Sequence, residues 1–139
     1  MLAISRGPWG APVESISILL VEDEALIAAM VEDALTEAGF VVTVVSRGAE
    51  AMRLLEDAGG DYRVVVTDVD LGNSINGWDV ARRARELSAH LPIVYTSGGG
   101  ATEWTSNGVP NSVLVTKPFA PAQVVTAVSQ LLNCNTPGA

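Results

Sequence analysis

Cysteine, lysine, positive charge and long apolar runs are all scarce in this chain. The one cysteine, Cys134, has no partner for an internal disulfide, which excludes a disulfide scaffold. No apolar run approaches the roughly 18 residues of a membrane span. The first fifteen positions, MLAISRGPWGAPVES, also lack the charged start and sustained hydrophobic stretch of a signal peptide, so the expected compartment is the cytoplasm. Eight Lys+Arg stand against sixteen Asp+Glu, a formal charge of -8. Such a surface repels phosphate backbones and anionic lipid, so nucleic acid and membrane are set aside as direct partners and a cation is favoured.

What remains is enough for one folded unit. The 139 residues fit a single compact domain, and 48% hydrophobic against 17% charged residues supply a core rather than a disordered chain. Five short apolar runs, Ile16 to Val21, Phe40 to Val45, Val64 to Thr67, Pro92 to Thr96 and Val113 to Thr116, read as strands. Several are apolar at nearly every position instead of alternating, the pattern of parallel strands covered on both faces. That predicts an α/β fold.

The intervening stretches read as helices. Ile27, Val31, Leu35 and Ala38 recur at helical spacing after a capping Asp23 and before a terminating Gly39. Ala51, Leu54, Leu55 and Ala58 mark a second helix ended by Gly59-Gly60. Trp78, Ala81, Ala84 and Leu87 mark a third, and Pro121 opens a last one carrying Val124, Val125, Val128, Leu131 and Leu132. The fourth unit, SGGGATEWTSNGVPNS, holds five glycines and prolines, so its helix is expected to be short or frayed. The array is (βα)5, with residues 15–132 as the domain and residues 1–14 and 133–139 as a flexible leader and tail.

In an open parallel sheet, functional groups gather beyond the carboxyl ends of the strands. The first strand ends in Glu22-Asp23, the third in Asp68, the fourth in Thr96-Ser97 and the fifth in Lys117-Pro118. Held close together, Glu22, Asp23 and Asp68 repel one another and call for a counter-ion. Magnesium suits such a site, being hard, oxygen-seeking and commonly held by one or two carboxylates plus a phosphate oxygen. Asp23 and Asp68 are the expected direct ligands, with Glu22 acting through a bound water or by its field. A carboxylate beside such an ion can attack phosphorus, which makes Asp68 the candidate nucleophile. Lys117 brings charge, Thr96 a hydroxyl, and the N–H groups of Val69 and Ser97 further hydrogen bonds to phosphoryl oxygens.

From Ile16 to Leu132 the pattern resembles the receiver domain of bacterial response regulators. The resemblance rests on ILLVEDE with Glu22-Asp23, VVVTDVDL with Asp68, the downstream Gly77, PIVYTSG with Thr96, and VTKPF with Lys117, Pro118 and Phe119. It implies a flavodoxin-like three-layer sandwich with strand order 2-1-3-4-5, a cytoplasmic two-component phosphorelay, and a signalling domain rather than a turnover enzyme. It also implies that Asp68 accepts phosphate from a phosphohistidine, that the Asp70 carbonyl completes the Mg2+ ligands, and that Lys117 meets the phosphoryl group before a cis Pro118. The implied partners are a sensor histidine kinase or histidine phosphotransferase and a downstream protein; a homodimer stays open. Seven residues after the last helix leave no room for a DNA-binding module, so output is expected through protein contacts or a domain outside this chain.

One departure concerns the switch. Two positions before the residue that precedes Lys117, where the family usually places an aromatic residue, this chain has Leu114, so the usual coupling of ring and Thr96 hydroxyl lacks its ring. The expectation is that phosphorylation orders or shifts residues 98–110, Trp104 included. Asp70 and Gly98 flank the site in the resembled family, where such positions set how readily water reaches the acyl phosphate. Plainer readings stand beside these. His90 reads as a solvated loop residue, Arg82, Arg83 and Arg85 as an exposed helix face or a partner patch, Trp78 as packing, and Trp9 as either an exposed aromatic or a docking residue. Two rival functions share parts of the pattern: an aspartate-nucleophile phosphatase built on Asp68-Val69-Asp70, which leaves Glu22-Asp23 without a use, and a receiver-like interaction domain that is never phosphorylated.

Overall fold

The computed structural model describes residues 15–58, 61–72, 75–99 and 101–134. Strands and helices alternate as β1 (Ser17–Val21), α1 (Ala25–Glu37), β2 (Val41–Val45), α2 (Gly48–Ala58), β3 (Val64–Asp68), α3 (Gly77–Leu87), β4 (Ile93–Ser97), α4 (Ala101–Asn107), β5 (Ser112–Thr116) and α5 (Pro121–Cys134). All strand pairs are parallel, in the order β2-β1-β3-β4-β5. Every strand boundary falls within one residue of its expected position.

The unbroken apolar runs have a simple cause. Successive side chains of a strand point to opposite faces, and here both faces are covered. Leu19, Val21, Val65, Ile93 and Tyr95 pack on the α2–α3 side, while Ile18, Leu20, Val64, Val66, Val94 and Val115 pack under α1 and α5. All of β3 and β4 is buried, whereas the edge strands β2 and β5 are largely half-buried. Each fully buried Val, Leu or Ile contributes about 1.5–3 kcal/mol, so the three central strands dominate the stability of the sheet.

Helix ends follow from local chemistry. At the close of α1, Gly39 adopts φ +100°, the Gly39 N–H donates to the Thr36 carbonyl at 3.0 Å and the Phe40 N–H to the Leu35 carbonyl at 3.1 Å. This paired bonding is a Schellman cap, and it needs the left-handed conformation that glycine adopts without strain. Asn76 caps α3 in a reciprocal box with Asp79: each side chain accepts the other residue's backbone N–H, at 3.0 and 3.2 Å. The sequence Asn76-Gly-Trp-Asp79 carries the signal of that cap.

Several expectations are corrected. Asp23 does not cap α1; the capping position is Glu24, without a side-chain bond, and the Asp23 carboxylate instead accepts the Gly72 N–H at 3.4 Å. Leu87, read as part of an apolar stripe, is 44% exposed at the end of α3. Arg85 is a bracket rather than a free surface charge: its guanidinium donates to the Leu91 carbonyl at 2.6 Å and the Asn111 carbonyl at 3.4 Å, tying together the entries to β4 and β5. Arg82 and Arg83 pair with Asp79, Glu56 and Glu86 on the surface. The fourth helix is seven residues long, short as expected. Helix α5 runs through Cys134, two residues into the expected tail. Residues 1–14 with Trp9, the Gly59-Gly60 stop and residues 135–139 lie outside the described residues.

Candidate functional site at the carboxyl rim of the sheet

Register decides which side chains meet. Asp68 is the last residue of β3 and its Cα partner in β4 is Thr96, so both side chains leave the same face of adjacent strands. Glu22 follows β1 directly, its N–H donating to the Val45 carbonyl at 3.0 Å, which extends the β1–β2 ladder one step and fixes the acid at the rim. Lys117 follows β5, with its N–H on the Ser97 carbonyl at 2.7 Å, and the Lys117–Pro118 peptide is cis.

These placements bring charge into one small volume. Glu22, Asp23 and Asp68 each offer a carboxylate oxygen, all within 4.8 Å of one another. The Lys117 ammonium stands 3.2 Å from Asp68 Oδ2 and 3.4 Å from Glu22 Oε1. The Asp70 N–H donates to Asp68 Oδ1 at 3.1 Å, and the Glu24 N–H to Glu22 Oε2 at 3.2 Å. Asp23 is exposed, whereas Glu22 and Asp68 are only 3% and 2% exposed. Among the described residues, no buried side-chain nitrogen or oxygen lacks a hydrogen bond, so the acids are held in place before anything binds.

The electrostatics follow from one ammonium facing three carboxylates. Burial, then the hydrogen bond and charge of Asp68, push the Glu22 carboxyl up to about 7 from its usual 4.5. Asp68 is also raised by burial, with Glu22, the Asp70 N–H and Lys117 drawing it back. Burial opposes the charge on Lys117, but the fields of Asp68 and Glu22 outweigh it and hold the ammonium above its ordinary range. Glu22 therefore carries a proton well above normal carboxyl pH, the response of an acid cluster with too little positive charge. Three clustered oxygen donors with one exposed member match what a hard divalent cation such as Mg2+ takes, so the residues present fit that ion.

Glycine shapes the floor. A Cβ at Gly77 would lie 2.8 Å from the Val69 Cα and closer still to the Asp68 carbonyl oxygen, while the Gly77 N–H donates to the Val69 carbonyl at 3.0 Å. Only a residue without a side chain lets α3 start directly under the strand end that carries Asp68.

Comparison with known proteins then decides the family. The description "Response regulator receiver domain" matches residues 18–129, most of the chain. The chain belongs to the response regulator receiver domain family. A solved response regulator receiver protein from Sinorhizobium medicae is 50% identical, covers 88% of this chain and 98% of its own, and superposes with a TM-score of 0.84. Transcriptional regulatory protein CusR of Escherichia coli is 33% identical over 85% of this chain and 52% of its own length. Transcriptional regulatory protein TcrA of Mycobacterium tuberculosis is 36% identical over 82% of this chain and 46% of its own. The chain thus spans about half the length of the curated relatives it matches. This is the receiver part of two-component response regulators, a class of signalling domain, in a CheY-like fold. No helix among the described residues is long and apolar enough to cross a membrane.

Within the receiver, the expected residues divide into two groups. Glu22, Asp23, Asp68 and Lys117 converge, with Thr96 and Ser97 buried at the neighbouring strand end. Val69 does not offer its N–H to the site: that group donates to the Thr96 carbonyl at 2.9 Å, as part of the β3–β4 ladder. The amide that reaches the Asp68 carboxylate is that of Asp70, a residue expected to act through its carbonyl and its position beside the site. Nothing in a residue type announces a backbone donor; only the turn after β3 does. Leu114 and Trp104 lie away from the acids, half-buried together on the α2–α3 face.

Proposed function

We propose that this receiver accepts a phosphoryl group on Asp68 from a phosphohistidine and passes the signal on through contacts that depend on phosphorylation. The observation that carries the reading is the Lys117 ammonium 3.2 Å from Asp68 Oδ2, inside a cluster of three carboxylates at the rim of the sheet. Burying Glu22 and Asp68 beside a single ammonium is costly, so the arrangement points to a use.

In the transfer, an Asp68 carboxylate oxygen forms a bond to phosphorus as the phosphorus–nitrogen bond to imidazole breaks, and the electron pair returns to the histidine. Asp68 is held for attack by the Asp70 N–H on one oxygen and Lys117 on the other. Lys117 then pairs with the phosphoryl oxygens, and Thr96, at the same level on the adjacent strand, supplies a hydroxyl, with the Ser97 backbone beside it. Glu22, Asp23 and Asp68, with the Asp70 carbonyl, would hold Mg2+. When bound, the ion neutralises the acid cluster and lets a phosphate dianion approach. The partners that fit are a sensor histidine kinase or a histidine phosphotransferase upstream and a protein surface downstream. A phosphatase would turn over free phosphomonoesters, and such turnover would leave Glu22 and Asp23 at the end of the first strand with no role.

Intact mass tests the proposal. Incubated with acetyl phosphate and Mg2+, the chain should gain the mass of one phosphoryl group, and it should gain none with chelator or as Asp68→Asn. A wild-type chain that gains nothing under these conditions is a receiver fold without phosphoacceptor chemistry.

A further inference from the structure

Tyr95 sits beside Thr96 in β4 and points to the opposite face of the sheet, where its fully buried ring packs on Trp78 with centroids 4.6 Å apart. Its hydroxyl accepts the Val109 N–H at 3.2 Å. The Val109 carbonyl accepts the Ser112 hydroxyl at 2.6 Å, and the same Ser112 oxygen accepts the Trp104 indole N–H at 3.0 Å. Both backbone groups of Val109 are therefore held by side chains, one from β4 and one from β5, and the end of this chain of bonds grips α4.

We propose that Tyr95, Val109, Ser112 and Trp104 form a latch that fixes α4 in the unphosphorylated receiver and opens when Asp68 is phosphorylated. The proposal rests on the reading of Asp68 as phosphoacceptor. Thr96 and Tyr95 are consecutive strand residues, so drawing Thr96 and Ser97 towards a phosphoryl group on one face displaces the Tyr95 hydroxyl on the other. A hydrogen bond weakens steeply with distance and angle, so a small displacement suffices to release Val109. The far end of the loop does not follow, because Arg85 holds the Asn111 carbonyl at 3.4 Å. Motion is thereby confined to the segment from α4 to Val109, residues 101–109.

The rest of this region offers little resistance. Helix α4 has seven residues, and Glu103, Thr105, Ser106 and Asn107 are exposed. Gly98 and Gly99 upstream have open space where a side chain would stand. Leu114 packs on the same face but has no polar group to bond, so the polar link across β4, α4 and β5 falls to Tyr95, Ser112 and Trp104. In this receiver the responding aromatic groups stand in β4 and α4 instead of β5.

Amide exchange on the full chain, read together with intact mass, tests the latch. On incubation with acetyl phosphate and Mg2+, residues 101–109 should exchange about tenfold faster while β1 and β3 stay unchanged, since one lost hydrogen bond shifts local opening by about that factor. Tyr95→Phe keeps the ring and removes the hydroxyl; Ser112→Ala releases Val109 and Trp104 from the other side. Each should bring the unphosphorylated chain most of the way to the faster exchange without changing the mass gain. Mass gain with unaltered exchange in residues 101–109 overturns the latch alone, as does wild-type exchange in both variants. Absence of mass gain overturns the phosphoacceptor reading and the trigger with it.

Discussion

Around Asp68 the chain is held by its backbone and by the most deeply buried strands. β3 is buried at every position, the Asp70 and Glu24 amides fix the two buried acids, and Gly77 lets α3 begin against the strand end. Around Trp104, on the same sheet, the arrangement is reversed. Helix α4 is seven residues long, β5 is mostly half-buried, and single side-chain hydrogen bonds join them. The difference separates two tasks. Chemistry that depends on charges a few ångströms apart needs a frame that does not yield, whereas a response to that chemistry needs a segment whose opening costs little.

The sharpest way to break this contrast is at the acid itself. Asp68→Asn should abolish phosphoryl acceptance while leaving the fold intact, since it removes a crowded charge and keeps the shape; circular dichroism with intact mass separates the two effects. Next in size is Gly77→Ala, which forces a methyl group into the Asp68–Val69 backbone and should destabilise the domain by about 2–3 kcal/mol, seen in the urea midpoint. A matching change in the soft region, Trp104→Phe, loses one half-buried hydrogen bond and should cost under about 1 kcal/mol by the same measurement. Equal costs for the two would erase the distinction between frame and responder.

Acidity gives a further comparison. The Glu22 carboxyl in the folded chain holds its proton up to about 7, above its usual 4.5. The folded state thus binds more protons than the unfolded state between those values, so the stability from this group is complete below the lower one and is lost as pH rises through the upper. Without Mg2+ the domain should lose on the order of 1–3 kcal/mol between about pH 4 and pH 8. Glu22→Gln should flatten that slope, and Mg2+ should offset the loss at the alkaline end. A pH-independent urea midpoint in the metal-free wild type would contradict the crowded-acid account.

The strands and the site were legible in the sequence for the same reason. Strands covered on both faces leave uninterrupted apolar runs, and the polar residue that ends each run, such as Asp68 after Val64 to Thr67 or Lys117 after Val113 to Thr116, marks the rim where groups meet. Backbone use was not legible. Whether the Val69 amide serves the ladder or the site depends on where β3 stops, and Asp23 was misassigned as a cap because the same acid can serve a helix end or a rim. Arg85 was hidden in a run of arginines that differ only in which carbonyls lie within reach. The Tyr95 and Trp104 contacts join residues whose types read equally well as packing.

Chemical trapping on the phosphorylated chain tests the central claim most directly. Borohydride reduction of the acetyl phosphate-treated protein converts an aspartyl phosphate to homoserine, and peptide mapping then locates it. The arrangement of Lys117, Glu22 and Asp23 around the Asp68 carboxylate predicts the conversion at Asp68 alone. Homoserine at Asp23 or Asp70 instead, or a modified chain with Asp68 intact, would contradict it.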